Sequence, residues 1–160
     1  MWQHLLSGRK EEAAFILSRV TEVEGAPQFV GEDLYLVPPH ELLAHGAYHI
    51  ALTDEAQEKI IKLAWKRRLA LVELHSHVGD WPAAFSPSDL SGLSDFAPHV
   101  VWRLRQPYLA MVVASSTFDA LVWSSRDSPP TSLDAIVVDV VRFRPTELTI
   151  RLLPRGDDRA

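Results

Sequence analysis

The stretch "LALVELHSHVGDWPAAFSPSDL" (Leu69 to Leu90) carries several signals in succession. Leu69 to His75 is a near-continuous apolar run, the pattern of a strand buried on both faces. A turn-rich loop follows. Ser86, with Asp89 three places on, then stands at the start of a short helix expected over 88–97. Residues i and i+2 of a strand point to the same side, so His75 and His77 can present both imidazoles to one point. Neutral imidazole suits zinc, and Asp89, in the first turn of a helix beginning near Pro87, can supply a carboxylate as third ligand. Each half of the pattern also has a plainer account. Two histidines near a strand end are common as polar surface, and Ser86 with Asp89 is equally a helix-capping pair.

Upstream, "TDEAQEKIIKLAWKRR" (Thr53 to Arg68) predicts a helix. Thr53 can cap it, acids fill its first turn, bases its last, and Ala56, Ile60, Leu63 and Ala64 share one face. "AAFILSRVTEV" (Ala13 to Val23) and "DLYLVPP" (Asp33 to Pro39) predict strands, with "EGAPQFVGE" between them as a turn. Downstream, strands are expected at "YLAMVVAS" (Tyr108 to Ser115), "FDALVWS" (Phe118 to Ser124), "LDAIVVDVVRF" (Leu133 to Phe143) and "ELTIRLL" (Glu147 to Leu153). Ser124 to Ser132 reads as a flexible connection. Strands that alternate with helices early and form a meander late give an α/β protein, a mixed β-sheet with flanking helices. One domain over 1–153 and a polar, frayed tail over 154–160 are expected.

The chain has 160 residues, 47% hydrophobic and 23% charged, enough for one domain with a core. A net charge of -5 argues against nucleic acid as a partner. The basic cluster Lys66 to Arg68 is explained by the end of the helix before it. The absence of cysteine removes disulfides, thiolate nucleophiles and Cys-based zinc ribbons, so a metal must be held by His, Asp or Glu. No apolar run approaches the roughly 20 residues of a membrane span, and the N-terminus turns charged too early for a signal peptide. A soluble, cytoplasmic protein is expected.

Taken together, "HSHVGDWPAAFSPSD" (His75 to Asp89) resembles the metal-binding motif of the JAMM (JAB/MPN) metalloisopeptidases. A second signature of that family is an early glutamate followed by a small residue and an aliphatic pair, which "EEAAFILS" (Glu11 to Ser18) resembles. Glu12 fits it best, with Phe15 at the usual glycine; Glu11 competes, and the two would face opposite sides of an extended chain. The resemblance implies a deaminase-like α/β/α (MPN/JAB) fold. It implies one zinc ion per chain on His75, His77 and Asp89, with a water in the fourth position whose proton Glu12 accepts. Ser86 would then hydrogen-bond the developing oxyanion.

The implied substrate is the amide bond after the C-terminal glycine of a ubiquitin-like protein, cut in deconjugation or in precursor processing. A ubiquitin-activating-enzyme-like protein is an implied partner. Val78 departs from the family's usual proline after the second histidine, without loss of a ligand. The competing class is a family-like scaffold that has lost catalysis and binds protein partners. A nucleoside deaminase is disfavoured, because its zinc signature needs cysteines and HxE. His40, His45 and His49 are expected as loop or surface histidines. Trp81 and Phe85 are expected to pack the loop onto the domain, with lining of a substrate groove as the alternative.

Overall fold

The computed structural model describes residues 1–6, 8–46 and 50–153. From a short helix α1 (Trp2–Leu6) the chain enters β1 (Ala13–Val23), turns at Glu24 and Gly25, and returns as β2 (Ala26–Leu36). A 3-10 turn (Pro39–Glu41) leads to the hairpin β3 (Leu42–His45) and β4 (Ile50–Leu52). Helix α2 (Asp54–Arg67) feeds β5 (Ala70–His77), and α3 (Pro87–Leu104) connects it to β6 (Tyr108–Ala114) and β7 (Thr117–Trp123). The short strands β8 (Thr131–Ser132), β9 (Ile136–Val138) and β10 (Val141–Phe143) and the helix α4 (Leu148–Leu152) complete it. The tail expected to fray, 154–160, lies outside the described residues, as does His49.

The main sheet has the order β2-β1-β5-β6-β7-β8. Only β5 and β6 pair in parallel, joined by the α3 crossover; the other neighbours are antiparallel, so the sheet is mixed. Each face carries its own core. One holds Phe15, Leu17, Leu71, Tyr108 and Val112 against α2 and α3, and the other holds Ala14, Leu74, Met111 and Phe118 with Leu5 of α1. Helices therefore flank both sides, and the apolar run of β5 is buried on both faces as its composition predicts.

Helix α2 follows its sequence closely. Thr53 Oγ1 accepts from the Ala56 N–H at 3.2 Å, acids occupy the first turn and bases the last, and Arg68 closes it in the left-handed region.

Elsewhere the elements differ from expectation for identifiable reasons. The turn expected across 24–32 is confined to Glu24 and Gly25, and β2 begins at Ala26; Pro27 and Gly31 are tolerated because β2 is an edge strand. Helix α3 runs past Ala97 and through Pro98 to Leu104. Burial of Leu93, Ala97, Val100 and Val101 against the sheet outweighs the lost hydrogen bond. The strand expected over 133–143 is a hairpin, folded back at Asp139, which has a left-handed φ of 55°.

The strand expected over 147–153 is instead helix α4. Its orphan N–H groups are served from a distant strand: Asp119 of β7 accepts from Glu147 N at 3.1 Å and Thr149 N at 2.9 Å.

Candidate metal centre

The site lies where β5 ends and α3 begins. β1 and β5 run antiparallel with Ala13 opposite His75 and Phe15 opposite Glu73. Directly opposed residues share a face, so His75 and His77 project on the side of Ala13 and Phe15, toward α2 and α3.

Asp89 reaches them from the first turn of α3. Its Oδ2 is 3.1 Å from His77 Nε2 and 3.6 Å from His75 Nε2. The ligand atoms of His75, His77 and Asp89 all fall within 4.8 Å of one another.

Asp89 is held there by a complete capping box. Ser86 Oγ accepts from Asp89 N at 3.2 Å, and Asp89 Oδ2 accepts from Ser86 N at 2.7 Å. The capping account of Ser86 and Asp89 and the ligand account are thus compatible: the box fixes the rotamer that brings the carboxylate to the imidazoles. Ser86 Oγ is used as an acceptor, and among the described residues its O–H has no acceptor of its own.

The loop between strand and helix is anchored by threonines from elsewhere in the fold. Ala83 N donates to Thr117 Oγ1 at 2.8 Å, Phe85 N to Thr149 Oγ1 at 2.9 Å, and Thr146 Oγ1 to the Ala83 carbonyl at 2.6 Å. Phe85 is buried edge-on to His75, with ring centroids 5.8 Å apart. Trp81 is exposed, its ring lying over Gly79, where an added Cβ would be 2.4 Å from Cζ2.

These residues fit a metal ion. His75 Nε2 is fully buried and without a hydrogen-bond partner, an uncommon and costly state for a ring nitrogen that coordination would relieve. Ligand atoms about 2.0–2.1 Å from zinc at tetrahedral angles stand about 3.3–3.4 Å apart. The two carboxylate-to-imidazole separations, 3.1 and 3.6 Å, bracket that value.

Burial disfavours the Asp89 charge, but His75, His77 and the Ser86 N–H outweigh it and hold the carboxyl far below the usual carboxylate range. Burial also disfavours charge on His75, yet Asp89, Glu73 and Glu11 together raise its pKa. Five acids and histidines so coupled, in one place, mark a site rather than a solvated surface.

The two early glutamates separate cleanly. Ser76 N donates to the Glu12 carbonyl at 2.9 Å, which puts Glu12 opposite Ser76 and on the α1 face of the sheet. There its carboxylate is 3.9 Å from His4 Nε2. Glu11, one residue earlier, is on the histidine face; it is buried, and its Oε1 is 4.0 Å from His77 Nε2. The motif alignment prefers Glu12, but strand parity brings Glu11 to the cluster.

Glu73, which the sequence alone does not single out, is two residues before His75 on the same face. It accepts a hydrogen bond from the Tyr108 hydroxyl. Burial raises the pKa of its carboxyl, and burial and Glu73 together raise that of Tyr108. The available signal was one acid inside an otherwise apolar run.

Beside the cluster a cavity of about 190 Å³ opens between Phe15, Ile50, Leu52, Glu73 and Phe96. His75 and Asp89 form part of its wall. Of the other histidines, His40 is exposed and lies outside the cluster, and His45 is the last residue of β3. Among the described residues no helix is long and apolar enough to cross a membrane. No family model matches the chain, and no curated protein matches it.

Proposed function

We propose that this chain is a zinc-dependent peptidase of the JAMM (JAB/MPN) type, which hydrolyses the amide bond after the C-terminal glycine of a ubiquitin-like protein. The observation that carries the proposal is the convergence of Glu11, His75 and His77, on one face of the β1–β5 pair, with Asp89 of α3, His75 Nε2 being buried without a hydrogen bond. The mixed sheet with helices on both faces, the His-x-His strand end and the Ser86–Asp89 helix start support the resemblance stated from sequence.

His75, His77 and Asp89 would hold zinc, a borderline ion suited to two imidazoles and a carboxylate. Zinc in such a three-ligand site supplies Lewis acidity and activates water near neutral pH. Glu11, buried and 4.0 Å from His77 Nε2, is placed to take a proton from the attacking water and deliver it to the leaving amine. Ser86 can donate its O–H to the developing oxyanion while its oxygen continues to accept from Asp89 N.

β4 borders the cavity, and its second edge pairs with no strand among the described residues. An extended glycine-terminated tail added to that edge by main-chain hydrogen bonds would run toward His75 and Asp89. A conjugate, or a precursor awaiting exposure of its terminal glycine, is then the substrate, and a ubiquitin-activating-enzyme-like protein a natural companion.

The test is cleavage of a glycine-terminated ubiquitin-like protein fused through that glycine to a reporter, with zinc-loaded and chelator-treated protein compared. Cleavage after the glycine that chelator stops and zinc restores supports the proposal. Binding of such proteins with no cleavage by the zinc-loaded chain would favour a non-catalytic scaffold instead.

A further inference from the structure

The cluster has a half-buried neighbour, Glu73, for which the proposed chemistry has no use. Glu73 and His75 are i and i+2 on β5 and share a face. The two carboxylate oxygens of Glu73 face different groups: Oε2 accepts from the Tyr108 hydroxyl, and Oε1 is 4.0 Å from His75 Nδ1. Tyr108 is itself fully buried, on β6, the parallel neighbour of β5, so Glu73 is braced from behind by a side chain with no freedom to leave. His75 Nε2 is the nitrogen aimed at Asp89, and Nδ1 is the one turned to Glu73, with no hydrogen bond of its own among the described residues.

We propose that Glu73 is a positioning residue of the metal site: in the loaded protein its Oε1 accepts the Nδ1–H of His75. That hydrogen bond places the imidazole proton on Nδ1 and leaves the Nε2 lone pair for the metal. A ligating histidine generally needs such an outer partner to set its tautomer and ring orientation, and losing that partner typically costs 10–100-fold in metal affinity. Tyr108 fixes the other oxygen and so keeps Oε1 turned to the ring. A carboxylate largely withdrawn from water is otherwise a liability, since desolvating a charge without full pairing costs stability. A role toward the metal accounts for its place in a run that is apolar on both sides.

The inference rests on the metal-site proposal and is tested so that the two can fail separately. Cobalt(II) and zinc affinities are measured by visible absorption and chelator competition on the full chain, on Glu73→Met and on Glu73→Gln. Metal-free thermal unfolding and the ring nitrogen NMR signals of His75 are recorded alongside.

Glu73→Met should bind both metals about 10–100-fold more weakly. Its metal-free melting temperature should fall, because the buried Tyr108 hydroxyl loses its acceptor, and the double variant Glu73→Met with Tyr108→Phe, measured alongside, should regain that stability while still binding both metals weakly. The Nδ1–H signal of His75 should shift from its wild-type position. Glu73→Gln, which keeps one accepting oxygen, should recover part of the loss. Wild-type affinity in Glu73→Met overturns the positioning role while leaving the metal site intact. A double variant that regains wild-type affinity together with its stability overturns it too, since that is what a packing defect gives. A wild-type chain that binds neither ion overturns the inference together with the proposal beneath it.

Discussion

Glu11 Oε1 lies 4.0 Å from His77 Nε2, while the carboxylate of its neighbour Glu12 lies 3.9 Å from His4 Nε2 on the opposite face of the same sheet. One residue of strand parity thus decides which acid can serve the cluster. Glu11→Gln is expected to lower the rate of amide hydrolysis by about 10²–10⁴-fold, the range of a lost general base, while zinc content stays at the wild-type level. Glu12→Gln should stay within a few-fold of wild type. Steady-state rates with metal analysis of the same samples check both, and the reverse ranking would return the role to Glu12.

Asp89 serves the helix and the cluster at once, and substitution can separate the two. Asp89→Ala removes the acceptor for Ser86 N as well as the ligand, so it should lose metal and also about 0.5–2 kcal/mol of stability, the usual range for a cap. Asp89→Asn keeps an oxygen that can accept from Ser86 N. Its metal-free stability should therefore be nearer wild type, with metal affinity still strongly reduced. Denaturant titration of the metal-free proteins and chelator competition read the two effects independently.

The same contacts set opposite pH dependences with and without metal. In the metal-free protein His75 has a raised pKa, because Asp89, Glu73 and Glu11 outweigh burial, so its contribution to stability is complete below 6.5 and lost as pH rises through the folded value. Asp89 has a lowered pKa, so its contribution is present above 3.8 and is lost as pH falls through the folded value. The His75 contribution to the melting temperature of the metal-free protein should therefore fall as pH rises above 6.5. Metal binding needs neutral imidazoles, so the extra stability conferred by zinc should grow over the same interval. Thermal unfolding at fixed free zinc across that range checks the sign, and an increment that shrinks with pH would rule out these histidines as ligands.

Asp119 is the hub that secures α4, and through it the loop before Asp89. It is buried and accepts from Ala120, Glu147 and Thr149 N–H groups. Asp119→Ala leaves these donors without partners, at about 1–3 kcal/mol for each that stays buried. A loss of at least about 2 kcal/mol in denaturant unfolding is expected, together with weakened metal binding because Thr149 carries Phe85 N. A change under about 0.5 kcal/mol would mean that α4 is held by other contacts.

Much of this architecture was legible from local pattern. α2 was readable from its cap, its charges and its apolar face, and β5 from its unbroken apolar run, because in both the local signals and the tertiary environment agree. The His75, His77 and Asp89 cluster was readable because i, i+2 spacing at a strand end and the first turn of the following helix fix geometry over a short span.

What was not legible depended on partners distant in sequence. Leu148, Ile150 and Leu152 alternate as in a strand, and the Asp119 side chain that caps the helix they form lies about thirty residues away. The choice between Glu11 and Glu12 required the register of β1 against β5, which spacing within either segment cannot supply. Glu73 gained meaning only with Tyr108 beside it, thirty-five residues on.

The central claim is that His75, His77 and Asp89 form a zinc site. The most direct measurement is zinc per chain by mass spectrometry on protein purified without a histidine tag, repeated on His77→Ala and Asp89→Ala. One zinc per chain, falling below about a tenth in both variants at the same free zinc, is the predicted result for a site losing one of its three protein ligands. A wild-type chain that stays metal-free after incubation with zinc, or variants that keep the full complement, would contradict it.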